Sequence, residues 1–257
     1  MTGFSADWLK LRAGADARSR NPGLAARLSA HFAGRDGLTL LDLGAGTGNN
    51  MRATAPLLPV PQHWRLADAD ADLLALATPP EGVTCTPVAC DLAGGIAPLL
   101  APPPDLVTAS ALFDLAGADW IAALVAEIAR HRLPLYAVLS YNGEETWAPP
   151  HPLDGQALAA FHADQRRDKG LGPALGPKAT AFLAAALRKV DYQIYEAPSD
   201  WRLRAPEDAE HIAALAEGSA DAMRPALGED AETWLAARRR AAQVRVGHVD
   251  ILALPPA

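Results

Sequence analysis

The chain is predicted to fold as an α/β domain, with a largely parallel sheet covered by helices on both faces. Strand-like and helix-like segments alternate from residue 38 to residue 141, the pattern that gives parallel strands with crossover helices. A short apolar run, Leu40-Leu41-Asp42-Leu43, enters a turn with glycine at every second position, Gly44, Gly46 and Gly48, and helix-compatible sequence follows. Half of the 257 residues are hydrophobic, enough for one large core with a cap attached.

The elements follow in order. Ser5 to Phe32 is rich in alanine and arginine and reads as one or two helices broken near Asn21-Pro22-Gly23. Leu24, Leu28 and Phe32 share one face at helical spacing. Leu38 to Leu43 is a buried strand. Helix follows Gly48, and Pro56 is expected to end or kink it. His63 to Ala67 is the second strand, closed by Asp68, Asp70 and Asp72, and Leu73, Leu74 and Leu76 start a short helix stopped by Pro79-Pro80. Val83 to Ala89 is the third strand, ending at Cys90-Asp91-Leu92, and Asp105 to Ser110 is the fourth. Asp119 is expected to cap a helix with Ile121, Leu124, Val125 and Ile128 on its buried face. Leu135 to Tyr141 is the fifth strand. Later, Leu158 and Phe161 lie in a short helix after Asp154, and Pro177 opens a helix with Leu183, Ala186, Leu187 and Val190 on one face. Tyr192 to Ala197 and Val244 to Leu254 read as the sixth and seventh strands, with helical sequence from Pro206 to Ala242 between them.

Several classes are disfavoured by composition. The formal net charge is −7, against a broad nucleic-acid footprint, which needs clustered positive charge. The one dense basic run, Arg238-Arg239-Arg240, reads as a solvated helix end. Cys85 and Cys90 fit no zinc pattern and read as small half-buried thiols. No apolar run is long enough to span a bilayer, and Met1 to Asp7 lacks the basic start and apolar stretch of a secretory signal. The default expectation is a soluble cytoplasmic protein.

The chemistry gathers at strand ends. A glycine-dense turn lets backbone pass close to a ligand, and open α/β sheets bind ligands at the carboxyl ends of their strands. A dinucleotide fingerprint needs its third glycine at position 49, which is Asn49. Asp68 closes the second strand about twenty residues on, where a carboxylate can accept ribose hydroxyls; Asp70 and Asp72 compete with it as helix caps. Asp91 closes the third strand, as an acceptor for an adenine amino group or as a cap for the next turn. Ala69 and Leu92 offer apolar walls, and Asp42 either contacts the ligand or fixes the loop by hydrogen bonding.

The pattern D-x-G-x-G-x-G from Asp42 to Gly48, with Asp68 and Asp91, resembles the Rossmann-like S-adenosylmethionine-dependent methyltransferases. The resemblance covers residues 38 to 141 well. It implies a seven-stranded sheet in the order 3-2-1-4-5-7-6 with an antiparallel last strand. It also implies S-adenosyl-L-methionine as cofactor, held by Asp42, Gly44, Ala45, Gly46, Gly48, Asp68, Ala69, Asp91, Leu92 and Ser110. The segment from Asp105 to Leu115 looks like the family's fourth strand and the loop beside the reactive methyl. Asp114 there, Tyr141 after the fifth strand and His162 are the candidates facing the acceptor; Asp114 also suits a helix-dipole role. Ser110-Ala111-Leu112-Phe113 lacks the Asn/Asp-Pro-Pro-aromatic motif of the amino-methylating nucleic-acid enzymes. Tyr141-Asn142 replaces the Asp-Asn pair of the magnesium-dependent catechol enzymes, so no metal is expected.

The whole chain, 1–257, is therefore read as one domain. It has an N-terminal helical cap at about 1–36, a lid at about 142–176 and a helical insertion at about 206–242. The expected activity is methyl transfer to a small-molecule acceptor, at oxygen, by a monomer or homodimer without membrane or nucleic-acid partners. The rivals are an NAD(P)-dependent oxidoreductase on a similar fold, disfavoured by the glycine spacing and the absent Tyr-x-x-x-Lys pair, and a non-catalytic S-adenosylmethionine-binding protein.

Overall fold

The structure is a computed structural model that describes residues 4–256. The first three residues of the expected N-terminal cap, and Ala257, lie outside the described residues. Five parallel strands come first: β1 (Leu38–Leu43), β2 (Gln62–Asp68), β3 (Val83–Ala89), β4 (Leu106–Ser110) and β5 (Leu135–Ala148). β6 (Gln193–Pro198), β7 (Trp201–Arg204) and β8 (Gln243–Leu254) complete the sheet. Its order is β3-β2-β1-β4-β5-β8-β6, with β7 beside β6 along the outer edge of β8. β8 runs antiparallel to both neighbours. With β8 counted as the seventh strand, this is the order expected from the sequence.

Alternation along β1 explains the two layers. Leu41 and Leu43 join Val107, Ala109 and the helices α5 (Ala118–Arg130) and α7 (Ala179–Arg188) on one face. Leu38 and Leu40 point the other way, toward Trp64 and α2 (Pro22–Phe32), whose Leu24, Leu28 and Phe32 are buried. Successive strand residues face opposite sides, so a strand buried on both faces reads as a continuous apolar run. Local signals set the ends. Asn21 caps α2 by accepting from Gly23 and Leu24 amides, with Pro22 in the first turn. Ser5 caps α1 (Ala6–Ser19). Helix α3 (Asn49–Thr54) passes into a 3-10 turn at Pro56.

A third core lies over the carboxyl edge of the parallel strands. β4 ends at Ser110, opposite Val138, but β5 runs on to Ala148 and keeps β8 as its partner through two register shifts. Against this extension pack β7, α6 (Asp154–Gln165), α8 (Ala209–Leu227) and α9 (Glu229–Arg238), burying Trp147, Trp201, Met223 and Trp234.

The structure revises four sequence readings. Residues 142–148, expected to begin a lid, continue β5. Their polar, glycine-containing sequence hides strand pairing that β8 supplies from a hundred residues away. β7 escapes the sequence reading for the same reason. Asp119 lies inside the first turn of α5, after the N-cap Gly117, and makes no capping bond; its charge still favours the helix dipole. Arg238 is not solvated. It is 2% exposed, donates to the Pro149 carbonyl at 2.7 Å and pairs with Asp154 at 3.0 Å. Arg239 and Arg240 are exposed, and Cys85 and Cys90 are free and half-buried. Among the described residues no helix is long and apolar enough to cross a membrane.

Candidate functional site

The turn after β1 takes a left-handed backbone at each glycine, with φ of 67° at Gly44, 50° at Gly46 and 77° at Gly48. Residues with a side chain rarely adopt these angles. The turn is tied to the end of β2. The Gly44 and Ala45 amides donate to the Ala67 carbonyl at 2.8 and 3.1 Å, and the Gly46 amide donates to Asp68 Oδ2 at 2.8 Å. Asp68 Oδ1 accepts from the Asp70 amide at 3.0 Å, and Asp70 itself caps α4 (Ala71–Ala75). Each Asp68 oxygen keeps a lone pair for a ligand.

Asp42 sits beneath the turn, fully buried. Its Oδ1 accepts from Asn50 Nδ2 at 2.6 Å, and the same nitrogen donates to Thr108 Oγ1 at 3.1 Å. Thr108 in turn donates to the Tyr136 carbonyl at 2.7 Å. This chain links β1, α3, β4 and β5 under the loop. Burial pushes the Asp42 carboxyl up to about 7, against the lowering effect of Asn50. Asn50 and Thr108 carry no signal in the sequence, because only the fold brings them to Asp42.

The other candidates lie along the same rim. Asp91 is exposed past the end of β3 and caps a 3-10 turn by accepting from the Ala93 amide at 2.9 Å. Ala69 is exposed, while Leu92 is buried, its carbonyl accepting from Trp120 Nε1 at 2.7 Å. Ser110, half-buried at the end of β4, faces a cavity of about 50 Å³. That cavity lies between Gly44–Thr47 and the α1 residues Leu9, Arg12 and Asp16. A larger recess of about 270 Å³ involves His31, Arg35, Asp105 and Arg132. It lies at the amino edge of the sheet, the wrong edge for ligands in this architecture, so chemistry and not size places the site.

The three acceptor-side candidates gather beside one another. Asp114 stands in a 3-10 turn after β4 and accepts from Gln165 Nε2 of α6 at 3.1 Å. Its other oxygen is buried without a partner among the described residues. Burial raises its carboxyl to about 6, partly offset by its own backbone amide, by Arg12 and by the Tyr141 amide. Tyr141 Oη and His162 Nε2 lie 2.9 Å apart. Burial pushes the Tyr141 phenol upward, with Glu145 and Asp114 adding to it. Burial, then Arg166, lowers the His162 imidazole, which favours its neutral form. The rings of Phe161 and His248 stand 5.8 and 6.3 Å from Tyr141. The segment after α6 is fastened down: the Gly117 amide donates to the Leu171 carbonyl and the Leu175 amide to the Ala116 carbonyl, both at 2.9 Å.

No family model and no curated protein sequence matches the chain. Solved structures do. A cyclopropane-fatty-acyl-phospholipid synthase-like protein from Lactobacillus casei is 14% identical, with a TM-score of 0.56 over 98% of this chain and 95% of its own. The YcgJ protein from Bacillus subtilis is 13% identical, with a TM-score of 0.52 over 92% of this chain and 100% of its own. The chain has the Rossmann-like methyltransferase fold. A third structure with this methyltransferase fold is a mycolic acid cyclopropane synthase, solved with S-adenosylhomocysteine. It is 12% identical, with a TM-score of 0.54 over 98% of this chain and 94% of its own. In this methyltransferase fold the glycine turn, Asp68 and Asp91 stand at the ends of three adjacent strands.

Proposed function

We propose that this protein transfers a methyl group from S-adenosyl-L-methionine to an oxygen atom of a small-molecule acceptor. The observation that carries the reading is the Gly46–Asp68 bond, which joins a cradle of bare backbone to a carboxylate with free lone pairs at the ligand-binding edge. The residues present fit the cofactor. A Cβ on Gly46 would stand 3.0 Å from Leu9 Cδ1, so a side chain at this position would press on α1.

Gly44, Ala45, Gly46, Gly48 and Ser110 would hold the methionine end, with Asp42 bracing the turn from below. Asp68 would accept from the ribose hydroxyls and Asp91 from the adenine amino group, with Ala69 and Leu92 beside the base. Bound there, the cofactor supplies a methyl group on a positively charged sulfur. The chain's own residues then need only place the acceptor, exclude water and take its proton. Tyr141 Oη receives the acceptor's proton as its own passes to His162 Nε2. Neutral imidazole is a suitable base for an acidic hydroxyl. Asp114, ionised above about pH 6, favours the protonated Tyr141 phenol. The net charge of −7 favours a small acceptor over a nucleic acid.

Calorimetric titration with S-adenosylmethionine, S-adenosylhomocysteine and NAD tests the cofactor. Binding of the first two and not the third is expected; an absence of heat with both sulfur compounds refutes the reading. Transfer of isotopically labelled methyl to a metabolite mixture then separates an enzyme from a binding protein.

A further inference from the structure

A buried ion pair lies where α1 crosses the glycine turn. Arg12, 8% exposed, donates from Nε to Asp16 Oδ2 at 2.8 Å and from Nη2 to Asp16 Oδ1 at 3.1 Å. The pair is held from behind. Trp201 Nε1 donates to Asp16 Oδ1 at 2.9 Å, and the Arg12 guanidinium sits 4.8 Å from the centre of a Trp201 ring. Both charged side chains wall the small cavity whose other side is Gly44–Thr47.

We propose that Arg12 binds the α-carboxylate of the cofactor's methionine part, with Asp16 as the residue that positions it. This rests on the cofactor reading above. A guanidinium has five N–H donors in a planar fork. Asp16 uses the edge made by Nε and one Nη2 hydrogen. The edge made by Nη1 and the second Nη2 hydrogen donates to no protein acceptor among the described residues. That free edge has the spacing that takes a second carboxylate through two parallel bonds. Among the described residues no other cation lines the cavity. Its 50 Å³ exceeds what one water needs and suits a group of a few atoms. Glycine at 44 and 46 leaves the opposite wall as bare backbone. An ion pair serving only to anchor α1 would need no such opening. Apolar side chains of the same volume would anchor the helix as well or better.

The test uses two ligands that share a nucleoside and a thioether. S-adenosylhomocysteine carries the amino-acid head; 5′-methylthioadenosine lacks it. In the double variant Arg12→Met/Asp16→Asn no lone charge is left buried. The side-chain carbonyl introduced by Asp16→Asn still accepts from Trp201, so thermal unfolding should stay near that of the parent chain. S-adenosylhomocysteine binding is expected to weaken about 10- to 100-fold, the loss of a charged hydrogen-bonded pair, while methylthioadenosine binding is unchanged. Arg12→Lys should fall between, because an ammonium lacks the fork. Equal weakening of both ligands, or none of either, overturns the assignment of Arg12. Failure of the parent chain to bind either ligand overturns the cofactor reading itself.

Discussion

Replacing Gly46 by valine should uncouple ligand binding from folding. At φ of 50° a residue with a Cβ costs about 1–2 kcal/mol, and a β-branched one more. The new Cβ would lie 3.0 Å from Leu9 Cδ1; that flexible end can swing aside, so the clash adds little if α1 lifts slightly. The alternative is for the turn to change shape, which breaks the Gly46–Asp68 bond. A hydrogen bond to a charged group contributes about 1.5–3 kcal/mol. Either route costs about 2–4 kcal/mol, below the 5–15 kcal/mol that holds a typical domain together. The fold therefore survives, with a thermal midpoint lower by roughly 5–15 °C. If the turn must regain its shape to bind, S-adenosylhomocysteine affinity falls about 30- to 700-fold. Calorimetry and circular dichroism on the same preparation read the two effects. A dissociation constant within threefold of the parent value would show that the turn does not contact the ligand. Gly46→Ala should fall in between.

Three further outcomes follow from the same geometry. Asn50→Leu strips Asp42 of its donor and should lower stability by about 1–3 kcal/mol, read as a lower urea midpoint; an unchanged midpoint would mean the network under the loop is idle. Asp114 is raised from 3.8 to about 6, so the native state holds its proton longer than the unfolded chain does. Its contribution is complete below pH 4 and is lost as pH rises through about 6, a decline of roughly 3 kcal/mol that Asp114→Asn should remove from a stability–pH profile. Tyr141→Phe deletes the contact with His162 and should reduce kcat at least tenfold with little change in cofactor affinity; an unaltered kcat would remove Tyr141 from proton transfer.

Sequence by itself determined the layered α/β plan and the position of the glycine turn. Both rest on short-range physics: alternating apolar residues such as Leu40 and Leu41 must be buried on two faces, and Gly44, Gly46 and Gly48 permit backbone angles closed to other residues. The carboxylates Asp68 and Asp91 were legible because a parallel sheet sends all its strand ends to one edge. Tertiary structure alone decided the rest. The extension of β5 to Ala148 and the existence of β7 depend on pairing with β8, whose hydrogen bonds reach across about a hundred residues to β5 and about forty to β7, with no local trace in either segment. The Asp42–Asn50–Thr108 chain, the Tyr141–His162 contact and the packing of α1, with its Arg12–Asp16 pair, over the glycine turn are likewise meetings between distant segments. Burial then moved Asp114 and Asp42 toward neutral pH, because desolvation depends on what the whole chain packs around a carboxyl group.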